Sequence, residues 1–340
     1  MSNLPQQQKA VIFNTTTDAL SFTSAAQTPS PHDGHVIKVH STAITNGELT
    51  WAPFVDWPTL HVPCYDVSGT VVTEVAGSPF KVGDAVFGRV HAGREGTARE
   101  YATLLPSEAA LVPEGLGLED ASAIPMSALT AWQAVFEKGL LTGSYAPASV
   151  PRVTDAGEIQ GAELAKGKRV LVLGAAGGVG MMAIQFARLA GAYVAGTASG
   201  RNDEFVRGLG AEVIDYTTTS LKEYVGGEEG KKFDLVLGCV GGNAMLDGWN
   251  AVKDNGTYIC VTPGFREPDG GKPAGVRSEW FVMDSRGSEL AAIGRFIEKG
   301  LVKGWVDSVW KMEDFEKAFA KTATGHARGK VVIKIAQDEE

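Results

Sequence analysis

The run Gly174-Ala175-Ala176-Gly177-Gly178-Val179-Gly180 follows the apolar stretch "RVLVL" and passes without a break into "MMAIQFARLAG". A strand that ends in small residues and turns at once into a helix leaves free backbone N–H groups at the positive end of the helix dipole. That is chemistry for holding a pyrophosphate. Glycines alone would serve equally well to pack a strand closely on a helix. The position of Gly177, Gly178 and Val179 between a strand and a helix, inside a β-α-β unit, is what points to a dinucleotide.

The next strand of that unit ends in Thr197-Ala198-Ser199-Gly200-Arg201-Asn202. An Asp or Glu at this place accepts hydrogen bonds from both ribose hydroxyls of NAD and repels the extra phosphate of NADP. Here the first acid, Asp203, comes after the arginine and falls in the first turn of the following helix, where it complements the dipole. Arg201 suits charge-assisted hydrogen bonds to a 2′-phosphate, with Ser199 and Asn202 as neutral donors and Tyr216 of "EVIDY" packing beside it. These residues predict NADPH as the cofactor.

The elements that must position this loop can be read from period. From Lys9 to about Val112, short β-like runs ("AVIF", "HVIKVHSTAI", "SGTVVTEV", "DAVFGRV") are broken by turn residues, the pattern of a small antiparallel barrel or sandwich. Leu116 to Lys138 has helical spacing interrupted by Pro125. Beyond it, uninterrupted apolar strands alternate with amphipathic helices as far as "GTYICVT", which predicts a doubly wound parallel α/β sheet. A late strand, "KVVIKIA", is free to return to the first domain. Thr142 to Lys166 shows no period and reads as a surface excursion.

Composition narrows the partners. The chain has 340 residues, enough for two cores, and its formal charge of -9 with no Lys/Arg block argues against a nucleic-acid surface. Its three cysteines, Cys64, Cys239 and Cys260, are far apart, which suits a reducing, cytoplasmic setting. The start lacks a secretory pattern, and the uncharged stretch Val170 to Ile184 is too short to span a bilayer, so neither export nor a membrane is expected.

Taken together, "ITNGEL", "CYDVSGTV", "FKVGDAVFG", "REYA", "LTAWQAV", "GAAGGVG", "LGAEVIDY" and "GHARGKVVI" resemble the zinc-independent, quinone oxidoreductase branch of the medium-chain dehydrogenase/reductase superfamily over nearly the whole chain. The resemblance implies a discontinuous GroES-like β-rich domain over residues 1–127 and 277–340, with a Rossmann domain over 128–276. It implies cofactor contacts from Asn46, Thr130, Gly177, Gly178, Val179, Ser199, Arg201, Asn202 and Tyr216. It adds Cys239, Val240, Gly241, Val261, Thr262, Pro263, Phe281, Val282, Met283 and Lys330. A homodimer is also implied, with the Rossmann edge expected at "GTYICV".

Metal-dependent relatives carry Gly-His-Glu where this chain has Cys64, Tyr65 and Asp66, so no metal is expected. His61 and Cys64 are spaced as H-x-x-C but lack two further ligands nearby. The resemblance implies hydride transfer to the C=C of an α,β-unsaturated carbonyl, or to a quinone, as the small-molecule substrate. Trp51, Phe54 and Trp57 would wall an apolar pocket, and Tyr65 is the nearest candidate for a catalytic proton donor. Two other readings share the same cofactor loop: an enoyl-thioester reductase of fatty-acid or polyketide assembly, and a non-catalytic, crystallin-like NADPH-binding protein.

Overall fold

The computed structural model describes residues 4–30, 34–141, 146 and 149–336. It divides into two units, Met1–Leu129 with Asp284–Glu340, and Thr130–Met283. Among the described residues no helix is long and apolar enough to cross a membrane.

The first unit is built on the strand His35–Ile44, which is buried along nearly its whole length. One side of it pairs antiparallel with Asp66–Val71, which pairs in turn with Ala85–Arg89 and then Ala109–Leu111. The other side is shared between two strands: Tyr101–Leu104 takes residues 35–38, and Lys330–Lys334 takes residues 41–44. The late strand therefore joins the first sheet, with Val306–Lys311 parallel to it at the edge. A smaller sheet sets Gln7–Asn14 between Ala19–Gln27 and Leu60–His61. Val11, Ile37, Val67, Val86, Val331 and Ile333 close the core with Phe315 and Phe319 from the helix Phe315–Ala323.

The helical spacing after Leu116 resolves into Leu118–Ser122 and Pro125–Trp132, with Pro125 at the first position of the second helix, where its missing N–H costs nothing. The chain then widens over Gln133–Leu140, and the Leu141 N–H reaches back to the Phe136 carbonyl at 2.9 Å.

The second unit holds a six-stranded, all-parallel sheet. Its spatial order is Glu212–Asp215, Tyr193–Ala198, Arg169–Leu173, Phe233–Gly238, Val252–Cys260, Arg277–Trp280. In chain order this is 3-2-1-4-5-6, the dinucleotide-binding arrangement, whose strand order reverses between Arg169–Leu173 and Phe233–Gly238. The doubly wound α/β class and the β-rich first domain are both as expected. Continuous apolar strands such as "VLVL" are buried on both faces, and Trp249, Tyr258 and Phe265 pack edge-on and stacked beneath them.

Two expectations are corrected. The strand Val252–Cys260, expected at the sheet edge, is paired on both sides, and the edge position belongs to Arg277–Trp280. Because that last strand pairs parallel with Val252–Cys260, the second unit runs on to Met283, past the boundary at residue 276. Of the stretch 142–166, residues 142–145, 147 and 148 lie outside the described residues, while Arg152–Val153 and Ile159–Gln160 form a short antiparallel pair.

Ile333 is fully buried in the core of the first unit. Ile333→Ala should lower unfolding free energy by about 2–5 kcal/mol, measured by urea denaturation. A tail that merely lay on the surface would tolerate the change.

Candidate functional site

The strand Arg169–Leu173 ends at Gly174, whose φ of +79° is a left-handed value that favours glycine. A Cβ there would lie 2.7 Å from Val240 Cγ1, and one on Gly180 would lie 2.2 Å from the Gly174 carbonyl oxygen. The turn is therefore as tight as backbone permits. It is pinned to the neighbouring strand by the Gly174 N–H on Thr197 Oγ1 and the Ala175 N–H on the Thr197 carbonyl, both 3.0 Å. The helix Gly178–Leu189 starts from Gly177 with no side chain capping it, so its first N–H groups remain available to an anion.

At the end of Tyr193–Ala198, Ser199 is extended and Gly200–Asn202 makes one tight turn into the helix Asp203–Gly208. The Ser199 hydroxyl oxygen is buried and has no hydrogen-bond partner, an orphaned polar atom in the loop expected to take a 2′-phosphate. Arg201 and Tyr216 are exposed. Asp203 accepts from Arg207 Nε at 2.7 Å, so this acid is engaged within its own helix.

The acid that sequence reading missed is Asp215. Parallel register sets it opposite Ala198, and one carboxylate oxygen would lie 3.3 Å from a Cβ on Gly200. The Thr217 hydroxyl and amide donate to its other oxygen at 2.7 and 2.9 Å and, with the Gly200 amide, hold the carboxyl below its usual range. Only the strand pairing could have revealed this neighbour.

The remaining cofactor candidates of this unit follow strand ends. Cys239, Val240 and Gly241 leave Phe233–Gly238, the Cys239 N–H bonding the Leu173 carbonyl at 3.1 Å, and burial pushes the Cys239 thiol up. Val261, Thr262 and Pro263 leave Val252–Cys260, with Cys260 Sγ 3.1 Å from Thr262 Oγ1. Phe281, Val282 and Met283 leave the sixth strand, with Phe281 and Met283 buried and Val282 65% exposed. Thr130 is buried in Pro125–Trp132. The pieces that touch are Gly174, Val240 and Thr197, at the point where the strand order reverses.

In the first unit the candidates separate. Asn46 is exposed at the start of a turn, before Gly47 at φ +81°. Lys330 is buried, with Nζ 3.0 Å from Asp66 Oδ2 and donating to Thr45 Oγ1 at 2.8 Å. Glu48, also buried, accepts from the Thr45 N–H at 2.9 Å and the Cys64 N–H at 3.0 Å, while the Met126 N–H donates to Asp66 at 2.6 Å. Burial raises the Glu48 carboxyl to about 7, against the pull of those amides and Lys330.

Tyr65 is fully buried and lies in a stack of nearly parallel rings. Its centroid is 5.6 Å from Trp51 and 6.1 Å from Trp57, and Trp57 stacks on His61 at 4.4 Å. Phe54 does not join the stack and is 71% exposed, because it sits on the outer side of the irregular segment that carries Trp51 and Trp57. The Tyr65 hydroxyl is 2.7 Å from His61 Nε2, and His61 Nδ1, buried and without a hydrogen bond, is 3.7 Å from Glu95 Oε1. Burial pushes the Glu95 carboxyl up, but His61, the Val62 amide and Arg99 outweigh it and hold the group below its usual range. Burial first, then Glu48, raises the Tyr65 phenol. Arg89, 3% exposed, lies 6.0 Å over the Tyr65 ring, bonds Ser285 Oγ at 3.1 Å and leaves Nε buried without a partner.

This donor set does not fit zinc. His61 is engaged with Tyr65, Asp66 with Lys330 and Met126, and Cys64 is fully buried with its N–H on the Glu48 carboxylate. Among the described residues no three His, Cys, Asp or Glu side chains gather to hold a metal.

The Glu48 carboxyl, raised in the folded state, contributes stability that is full below its unfolded value and lost as pH rises through about 7. Between pH 5 and pH 8 the wild type should lose about 3 kcal/mol relative to Glu48→Gln, compared by urea unfolding at the two pH values. Equal pH dependence in both proteins would show that Glu48 is ionised throughout.

Residues 209–333 match the family model described as zinc-binding dehydrogenase. A protein of Arthroderma benhamiae named "Probable zinc-binding oxidoreductase, mitochondrial" is 41% identical over 320 residues, 91% of each chain. The 2-methylene-furan-3-one reductase of Solanum lycopersicum is 29% identical over 97% of this chain and 80% of its own. The solved quinone oxidoreductase of Coxiella burnetii superposes with a TM-score of 0.75 at 23% identity, covering 97% of this chain and all of the other. With its two-unit architecture and its glycine turn, the chain belongs to the zinc-binding dehydrogenase family of the medium-chain dehydrogenase/reductase superfamily, an oxidoreductase by descent.

Proposed function

We propose that the protein is an NADPH-dependent reductase that passes hydride to the C=C of an α,β-unsaturated carbonyl, or to a quinone, without zinc. The observation that carries the cofactor choice is the loop of residues 199–202. It offers an orphaned Ser199 hydroxyl and the Arg201 guanidinium, while the nearest following acid is engaged with Arg207. Asp215 is adjacent, but its charge is already shared by Thr217 and the Gly200 amide. Gly177, Gly178 and Val179 would hold the pyrophosphate, and Ser199, Arg201, Asn202 and Tyr216 the 2′-phosphate.

When bound, the nicotinamide supplies the hydride. The chain's own part is to align a flat, conjugated substrate and exclude water, and the parallel rings of Trp51, Tyr65 and Trp57 suit such a molecule. The tomato relative's name, a reductase of a furanone with an exocyclic methylene, supports the enone reading.

We also infer a homodimer through Arg277–Trp280. Among the described residues this strand is the outer one of the parallel sheet, and Trp280 at 43% exposure, with Val282 just beyond it at 65%, is otherwise a liability.

Arg201→Ala should weaken NADPH binding by about 10- to 100-fold and leave NADH binding unchanged, read by fluorescence titration. Equal loss for both cofactors, or no loss, would refute the phosphate role. Trp280→Lys should give a monomer in sedimentation velocity; an unaltered dimer would place the interface elsewhere, and a monomeric wild type would end the dimer reading.

A further inference from the structure

The chemistry proposed above needs a proton at carbon, and the first unit contains a path for one. Three groups stand in line. The Tyr65 hydroxyl is buried, 2.7 Å from His61 Nε2, and His61, 1% exposed, turns its other nitrogen to Glu95 Oε1 at 3.7 Å. Glu95, at 39% side-chain exposure, is the end of the line that meets solvent. The line is held from both sides. Trp57 lies flat on the imidazole with an interplanar angle of 10° and donates through Nε1 to the Ala92 carbonyl at 2.6 Å, and the Val62 N–H fixes Glu95 Oε2 at 2.7 Å. A histidine placed only for packing would not need both ring nitrogens aimed at titratable groups, one inside and one at the surface.

We propose that Tyr65, His61 and Glu95 form a proton relay in which Tyr65 protonates the α-carbon of the reduced substrate and His61 and Glu95 reload it. The proposal rests on the enone-reductase reading. After hydride has reached the β-carbon, the substrate is an enolate with an electron pair available at the α-carbon. That pair forms the new C–H bond as the Tyr65 O–H bond breaks. The oxygen takes the proton from Nε2 of a doubly protonated His61, whose Nδ1–H stays turned to the Glu95 carboxylate, and between turnovers solvent returns one proton to the imidazole, so one solvent proton is consumed and every group regains its starting state.

The surroundings explain why a relay is required. Tyr65 faces Glu48, Cys64 and Glu95 as well as the cation of Arg89, and a buried phenoxide among acids would be costly. Donation is therefore coupled to immediate replacement of the proton. Trp51, on the irregular segment 51–57, covers the Tyr65 ring and must swing aside for substrate to reach the hydroxyl.

A pair of probes separates the proton from the hydride. 3-Penten-2-one must be protonated at carbon, whereas 9,10-phenanthrenequinone leaves an oxyanion that water protonates unaided. With NADPH, Tyr65→Phe should lower kcat for pentenone about 100-fold or more, and His61→Gln and Glu95→Gln by successively smaller factors. The loss with the quinone should be about tenfold smaller or less, and the NADPH affinity and the melting temperature should change little. Tyr65→Phe keeps the ring stack, so its result stands even if His61→Gln fails to fold. In the cofactor-free protein, ¹⁵N-histidine NMR should show the His61 Nε2 resonance moving in Tyr65→Phe and the Nδ1 resonance in Glu95→Gln. Wild-type pentenone turnover in Tyr65→Phe, equal loss of both probes in the variants, or unmoved His61 resonances would each overturn the relay. A wild type that reduces neither probe would bring down the reductase reading itself.

Discussion

A lysine and an aspartate taken out of water hold the first unit together. Lys330 comes from the last strand and Asp66 from the third strand of the order that starts at Lys330–Lys334, and each brings further partners. Thr45 receives the lysine, the Met126 amide supports the aspartate, and Glu48 ties Thr45 to Cys64. Two charges in such a place are tolerable only because each finds both an opposite charge and a hydrogen bond. Four stretches distant in sequence are thereby fixed in one register, and the aromatic stack on Tyr65, the residue next to Asp66, inherits its position from them.

The same crowding sets the chemistry available. Glu48, Cys64 and Tyr65 are buried so close together that each holds its proton more tightly than it would in water. A neutral, ring-lined environment of this kind suits a conjugated substrate better than an ionised one. The cofactor unit works by the opposite rule, offering bare backbone donors and an exposed arginine to phosphate.

Local pattern made much of this legible. The parallel sheet could be read because its central strands carry continuous apolar runs such as "VLVL", and the glycine turn because backbone crowding leaves no other residue type there. What escaped reading was pairing across the chain. "GTYICV" looks like an edge until Arg277–Trp280 is seen beside it, and Asp215 looks remote from Arg201 until register brings it against Gly200. His61 and Cys64 share an H-x-x-C spacing. In the fold Cys64 adopts a left-handed φ of +66°, which turns the chain so that His61 meets Tyr65 instead. Phe54 shows the converse: aromatic character alone did not tell which of three neighbouring rings faces outward.

The shared side of His35–Ile44 has a consequence for how the protein is made. Half of that side is filled early, by Tyr101–Leu104, and half only by Lys330–Lys334. During synthesis the second unit, whose parallel sheet lies wholly between Arg169 and Trp280, leaves the ribosome while the first still presents an open strand and an apolar core without Val331 and Ile333. Translation order thus completes the cofactor unit first and leaves the other exposed to wrong partners until Lys330–Lys334 has emerged, an interval in which chaperones have the most to do.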